Sequence, residues 1–228
     1  MLLADFQSLV DDLVRDKDQV ISSTQRNAAV ANALARYSVD APLVLVEDVV
    51  APGGQRLPAP PGWIDGQSAV RAIEYPVGQI PAMYLDGAVG IYRGPDGDAI
   101  ELQQSLGDGE TARVFFTSAH VLDAATTTIP PRHQRAVAAL AAADLCGQLA
   151  SHYASEGEPT IQADAVDHQG KSGRFRNRAR DLRAEYVAAV GTAPSERNRP
   201  ASVNVPLPSR DALGGRRIFH PPSHWPRA

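Results

Sequence analysis

The sequence has few of the residues and runs on which several classes of protein depend. One cysteine in 228 residues excludes a disulfide framework and any cysteine-based zinc or iron–sulfur site within one chain. The longest uninterrupted apolar run covers residues 136–143, whereas a membrane-spanning helix needs about 20 residues. The first residues are acidic where a signal peptide is basic. We therefore expect a soluble protein made in a reducing compartment.

The motifs of common enzyme classes are also missing. The chain contains no G-x-S-x-G, H-E-x-x-H, Walker or G-x-G-x-x-G sequence. Asp96, Asp98 and Glu101 resemble part of a calcium loop, but the spacing of an EF-hand is absent and Pro-Asp-Gly predicts a turn. Cys146, in an alanine-rich segment without nearby basic residues, is typical of a small buried hydrophobe. We therefore expect no catalytic site, no cofactor and no metal.

Charge is present in quantity, and it is divided unevenly along the chain. Residues 1–170 contain 10 basic and 22 acidic residues, which gives a net charge of −12. Residues 171–228 contain 12 basic and 4 acidic residues, which gives +8. The overall −4 therefore hides an acidic body and a basic C-terminal part, a pattern typical of a chain with an interaction segment.

Hydrophobic periodicity predicts an α+β fold. Apolar residues at helical spacing predict an amphipathic helix over residues 2–14 and a second one that starts near Ser22 and ends at Asp40. A long alanine-rich helix is predicted over 132–155, and a last helix over 174–190 with Gly191 as its C-cap.

A mostly antiparallel β-region is predicted between the helix pairs, over about residues 42–128. Short β-branched runs predict strands at 43–50, 70–75 and 111–118, and a hairpin of 88–92 with 99–103. The proline- and glycine-rich segment 51–62 is predicted to be a loop.

The C-terminal residues form a separate part of the sequence. We expect an adaptor-like body over 1–191 and an extended arm over 192–228, because the arm contains seven prolines, six basic residues and few large apolar residues. Its end nevertheless contains anchor side chains that favour docking on a partner. The predicted partner-binding residues are Arg216, Arg217, Ile218, Phe219 and Trp225. The alternative is that the arm packs on the chain's own core.

Three stretches resemble the head–tail adaptor (connector, head-completion) proteins of tailed bacteriophages. They are the N-terminal helix pair ending in ALARYSVDAPLVLVEDV, the segment GWIDGQSAVRAIEYPVGQIPAMYL, and TIPPRHQRAVAALAAADLCGQLASHYA followed by KSGRFRNRARDLRAEYVAAVG. The resemblance covers about residues 1–191. One departure is clear, because compact adaptors are nearly all helical and this chain carries a β-region of about 85 residues.

The resemblance implies a structural virion protein, assembled in the host bacterial cytoplasm and located at the phage neck. Such proteins form a ring, usually twelve-fold, that joins the portal to tail-completion or stopper proteins. DNA passes through the channel of the ring without sequence-specific binding. C-terminal segments of related adaptors reach into the portal, which would give the arm its partner. Arg176, Arg180 and Arg183, spaced +4 and +3 on one helix face, are the predicted contacts to an acidic neighbouring subunit.

Two other functions compete with the adaptor. The first is a small hydrolase that uses Asp144, Asp164 or His168 for acid–base chemistry, which requires a compact pocket. The second is a nucleic-acid-binding module in 171–228, which predicts salt-sensitive DNA binding.

Overall fold

Along the described chain, two helices come before the four strands of a sheet and two helices come after them. The computed structural model describes residues 1–85, 90–155 and 170–191. Its helices are α1 (Leu3–Val14), α2 (Ser23–Asp40), α3 (Pro131–Ser155) and α4 (Lys171–Val190). Its strands are β1 (Leu43–Pro58), β2 (Val70–Glu74), β3 (Gly90–Gly94) and β4 (Gly97–Ser118). The predicted α+β class is confirmed.

Local sequence explains where the helices begin and end. The Ser22 hydroxyl accepts a hydrogen bond from the Gln25 backbone N–H at 3.2 Å, and the Gln25 side chain accepts one from the Ser22 backbone N–H at 2.9 Å. This capping box satisfies two backbone donors at the start of α2. α4 begins at Lys171, earlier than the predicted Arg174, and it ends at Val190. The following Gly191 caps it with a φ of 81°, which suits a residue without a Cβ.

The central helix of the bundle is α3, which packs against α1, α2 and α4. Its buried positions include the consecutive residues Ala136, Val137, Ala138 and Ala139, followed by Ala141, Ala142 and Ala143. Alanine side chains let several helices approach a thin central one, so burial extends around it. Within the described ranges, no helix combines the length and the apolar character that a membrane span requires.

The sheet is built around β4, which pairs antiparallel with the three other strands. β1 runs along one side of β4, from Leu43 opposite Ser118 to Pro58 opposite Ala99. β2 and β3 share the other side, β2 beside the C-terminal half of β4 and β3 beside its start. The predicted hairpin is confirmed, with Gly94 opposite Gly97 at its turn.

The predicted loop over 51–62 is wrong for its first part, because β1 continues to Pro58. Gly53 and Gly54 adopt φ of 84° and 94°, and the register shifts on either side of Gly54. Bulges therefore absorb the irregular residues without ending the strand. The prolines are tolerated because β1 is an edge strand among the described residues. The predicted strands 99–103 and 111–118 are likewise parts of the single long β4.

The described residues contain two separate hydrophobic clusters. The helical cluster includes Phe6, Val10, Ala33, Tyr37, Val137, Leu145, Leu149, Leu182 and Tyr186. The sheet cluster consists of Val49, Ala51, Leu57, Ile73, Ile100, Leu102, Leu106, Ala112, Val114 and Phe116. The sheet thus builds a core of its own.

Candidate assembly surface

An open groove between α3 and α4 brings the three predicted inter-subunit arginines together. Its volume is about 690 Å³. We call it the arginine groove, and it is lined by Gly147, Ala150, Ser151, Ala154, Ser155, Arg176, Ala179, Arg180 and Arg183. α3 contributes only glycine, alanine and serine side chains, which are too small to fill the space beside α4.

The two helices that form the groove are held firmly together. Ala179, Leu182 and Tyr186 of α4 are buried in the helical cluster. At one end the Ser172 hydroxyl donates to the Ala150 carbonyl at 2.8 Å. Further along, Arg135 and Glu185 form an ion pair at 2.7 Å. The groove is therefore a feature of the folded bundle rather than of a loose helix.

The charges in the groove are only weakly neutralised by the chain itself. Arg183 lies 3.3 Å from Asp144, and Arg180 lies 3.6 Å from Asp181. The side chains of Arg180 and Arg183 remain 77% and 58% exposed, and ion pairs so exposed contribute little to stability. Among the described residues Arg176 has no carboxylate partner. The groove can therefore exchange its weak internal pairs for contacts with an acidic surface.

A different face of α4 is already used within the chain. Arg178 donates through Nε to the Leu13 carbonyl at the end of α1, at 2.6 Å. Tyr186 donates to the Asp40 carboxylate at 2.8 Å. Burial raises the pKa of the Tyr186 hydroxyl, and the bond to Asp40 raises it further. These contacts lock α4 onto α1 and α2 and leave the three groove arginines on the outside.

The outer face of the sheet carries exposed apolar side chains around an ion-pair cluster. Val44 and Val46 of β1 are about half exposed. Arg113 of β4 bonds both carboxylate oxygens of Asp48, at 2.7 and 3.0 Å, and lies 3.6 Å from Glu74. The Arg113 guanidinium holds the pKa of Asp48 below its ordinary value. The pair with Asp48 joins β4 to β1, and the contact with Glu74 joins β4 to β2.

An exposed apolar loop follows β2, and sequence reasoning gave it no role. The side chain of Ile80 is 99% exposed, and Met83 and Tyr84 are more than half exposed. The loop is nevertheless held in place, because the Tyr75 N–H donates to the Met83 carbonyl at 2.9 Å and the Leu85 N–H donates to Ile73 at 2.8 Å. The signal in the sequence is the uninterrupted apolar run 80–85. Such exposed apolar residues are typical of contact sites.

The described residues that were candidates for chemistry have structural roles and do not lie together in one site. Asp144 pairs with Arg183, and Asp98 accepts hydrogen bonds from Trp63 Nε1 at 3.2 Å and from the Gly66 N–H at 3.1 Å. Cys146 is fully buried, and burial raises its pKa to about 11. Within the described ranges, histidine, cysteine and carboxylate side chains form no cluster that could hold a metal ion.

Several predicted residues lie outside the described residues. They are Asp164 and His168 of the hydrolase hypothesis, and Arg216, Arg217, Ile218, Phe219 and Trp225 of the arm. Their roles, and the division into a body and an arm, stay predictions.

Comparison with known proteins yields distant structural matches, two of which are necks of GTA particles. No protein-family model and no curated protein matches the chain. One solved structure, the neck of an empty GTA particle in C6 symmetry, matches with a TM-score of 0.29 and 15% identity over 75% of this chain and 88% of that chain. Another, the neck of a native GTA particle in C12 symmetry, matches with a TM-score of 0.25 and 15% identity over 77% and 92%.

Proposed function

We propose that the chain is a structural, non-enzymatic subunit of a ring at the neck of a tailed-phage particle. The ring, proposed to be twelve-fold, joins the portal to tail-completion or stopper proteins and extends the DNA channel. The protein is thus a virion component, assembled in the bacterial cytoplasm. DNA passes through the ring without sequence-specific binding, because the net charge of −12 on residues 1–170 repels phosphate.

The arginine groove is the observation that carries this proposal. A ring subunit contacts its two neighbours through two different surfaces, so it must expose surfaces that its own fold does not fill. The groove is such a surface, since it has small side chains on α3 and three exposed arginines on α4. The resemblance of residues 1–191 to phage adaptors supports the same conclusion. The arm is proposed to dock on the portal through Ile218, Phe219 and Trp225, assisted by Arg216 and Arg217.

The nucleic-acid alternative is opposed by the net charge of −12 on residues 1–170, which repels phosphate. Of the arginines of α4, Arg178 is committed to the Leu13 carbonyl. The exposed groove arginines are tested by DNA binding at low salt, and the absence of a mobility shift there would remove this alternative. The hydrolase alternative needs a compact pocket around Asp144, but that residue pairs with Arg183, whose side chain lines the open arginine groove.

The proposal is tested by the assembly state of the full chain. We expect light scattering after size-exclusion chromatography to give a mass several times 24.3 kDa, and negative-stain electron microscopy to show rings with a central channel. Assembly is measured alone and with portal protein, because a portal can template the ring. A chain that stays monomeric in both conditions contradicts the proposal.

The double variant Phe219→Ala, Trp225→Ala is the control for the arm. It should weaken binding to the portal while the melting temperature and the body fold stay as in the wild type. Equal losses in melting temperature and in portal binding would instead assign the arm to the core of its own chain.

A further inference from the structure

The arginine groove has a regular geometry that specifies what can fill it. Arg176, Arg180 and Arg183 are spaced +4 and +3 on α4, so they form one row. The first and the last arginine are seven positions apart, which corresponds to about 10 Å along a helix axis. Beside this row lie Gly147, Ala150 and Ala154 of α3, whose small side chains allow another helix to approach closely. The groove therefore suits a helix with small residues and carboxylates.

The outward side of α1 has this composition. Phe6, Val10 and Val14 are buried on its inner side. The opposite side, which we call the acidic face, consists of the exposed residues Ala4, Asp5, Ser8 and Asp12. Asp5 and Asp12 are seven residues apart, the same separation as Arg176 and Arg183. Among the described residues no basic side chain pairs with either of them, whereas the neighbouring Asp11 pairs with Arg26 at 2.6 Å.

We infer that the acidic face of α1 from a second copy of this chain packs into the arginine groove. The inference rests on the proposed ring and names the contact that closes it. Two carboxylates meet three guanidinium groups at matching spacing, and alanine and serine on both sides let the backbones approach. The two surfaces use different residues, so each subunit offers its groove to one neighbour and its α1 to the other. Such a heterologous contact generates a ring when the rotations between successive subunits add up to one full turn.

The test uses the full chain with paired charge reversals. One variant carries Arg176→Glu and Arg183→Glu, and the other carries Asp5→Arg and Asp12→Arg. Each alone juxtaposes like charges at every interface, which should raise the concentration needed for assembly by at least about a hundredfold. The control is Arg71→Glu with Arg93→Glu, the same charge change on exposed residues of the sheet, which should assemble as the wild type does.

Mixing the two reversed variants distinguishes this contact from any other. In the mixture, the glutamate groove of one variant meets the arginine-bearing α1 of the other, and the remaining interface type is the wild-type one. Rings of alternating subunits should therefore form in the mixture although neither variant assembles alone. The test does not depend on whether α1 lies parallel or antiparallel to α4. Each variant reverses the charge at both ends of its row, so either direction places like charges together.

The outcomes separate this inference from the proposed function. Restored assembly in the mixture supports the contact. Failure of the mixture, with both variants folded by circular dichroism, means that another partner fills the groove and overturns the inference. Normal assembly of the glutamate variant also overturns it and leaves the ring proposal intact. If a reversal variant is unfolded, Arg176→Ala with Arg180→Ala replaces it, and unchanged assembly of that variant is equally contrary to the inference.

Discussion

At the scale of single residues, the helices and the sheet meet in polar contacts around two histidines. The backbone N–H of the buried His120 donates to the Ser38 hydroxyl at 2.9 Å, and its Nε2 lies 2.9 Å from the Ala41 carbonyl. The ring of His120 packs on Tyr37, whose hydroxyl shares a hydrogen bond of 2.7 Å with His133 Nδ1. These contacts join the end of α2 to the segment between β4 and α3. They hold the chain segment that follows β4 in place against the helices.

This junction should make the free energy of unfolding depend on pH. Burial, with smaller contributions from Arg132 and His120, lowers the pKa of His133 below its ordinary value. As the pH falls below about 6.5, the unfolded chain therefore binds a proton at this residue before the folded chain does. The stability present above that pH is lost on acidification. We expect urea unfolding between pH 7.5 and 5.5 to show a steeper loss for the wild type than for His133→Gln.

The variant Arg132→Gln tests how much the charge of Arg132 contributes to the lowered pKa of His133. Removal of this neighbouring charge should bring the pKa of His133 closer to its ordinary value and so reduce the pH dependence without abolishing it. Parallel pH profiles for the wild type and His133→Gln would show that the histidine does not titrate differently on unfolding.

At the scale of elements, the long β1–β4 pair depends on its bulges. β1 contacts β4 from Leu43 to Pro58, and the register shifts between Val50 and Pro52 and again between Gly54 and Arg56. Gly54 has a φ of 94° with nothing within 4 Å of the position where a Cβ would lie. A side chain there meets no steric obstacle, so any effect of substitution comes from the backbone conformation alone.

Gly54→Ala should destabilise the protein by about 1 to 2 kcal/mol, the cost of a left-handed backbone for a residue with a Cβ. The measurement is the midpoint of denaturant unfolding. Gly90→Ala is the matched control, because Gly90 lies in β3 outside the left-handed region and an added Cβ meets only ordinary contacts with Glu101 at 3.5 Å. Equal effects of the two variants would mean that the bulge relaxes on substitution and that Gly54 is not conformationally required.

The elements that depend on neighbouring residues were predictable from the sequence. Ser22 with Gln25, the alanine-rich α3 and the Gly94–Gly97 turn each specify their structure within a few positions. The extent of β1 was not predictable, because glycine and proline predict a loop unless a partner strand such as β4 accepts the bulges. Of the candidate site, the arginine row followed from helical spacing. The groove beside it did not, because its depth depends on which side of α3 the distant α4 covers.

At the scale of the whole molecule, the described residues bury their apolar side chains in two separate hydrophobic clusters, one among the helices and one around the sheet. Ile100 belongs to the sheet cluster and Leu149 to the helical cluster, and both are fully buried. Among the described residues none is a member of both clusters, and the junction around His120 is mainly polar. Loss of packing in one cluster should therefore leave the contacts of the other cluster in place.

Ile100→Ala should cost about 2 to 5 kcal/mol, from lost burial and the cavity left behind. Because that cavity lies wholly within the sheet cluster, native-state hydrogen exchange should show reduced protection in β1 and β4 and nearly unchanged protection in α3. Leu149→Ala is the corresponding variant in the helical cluster. It should reduce hydrogen-exchange protection in α3 and leave the protection of β4 nearly unchanged. Uniform loss of protection in both variants would mean that the two clusters unfold as one unit.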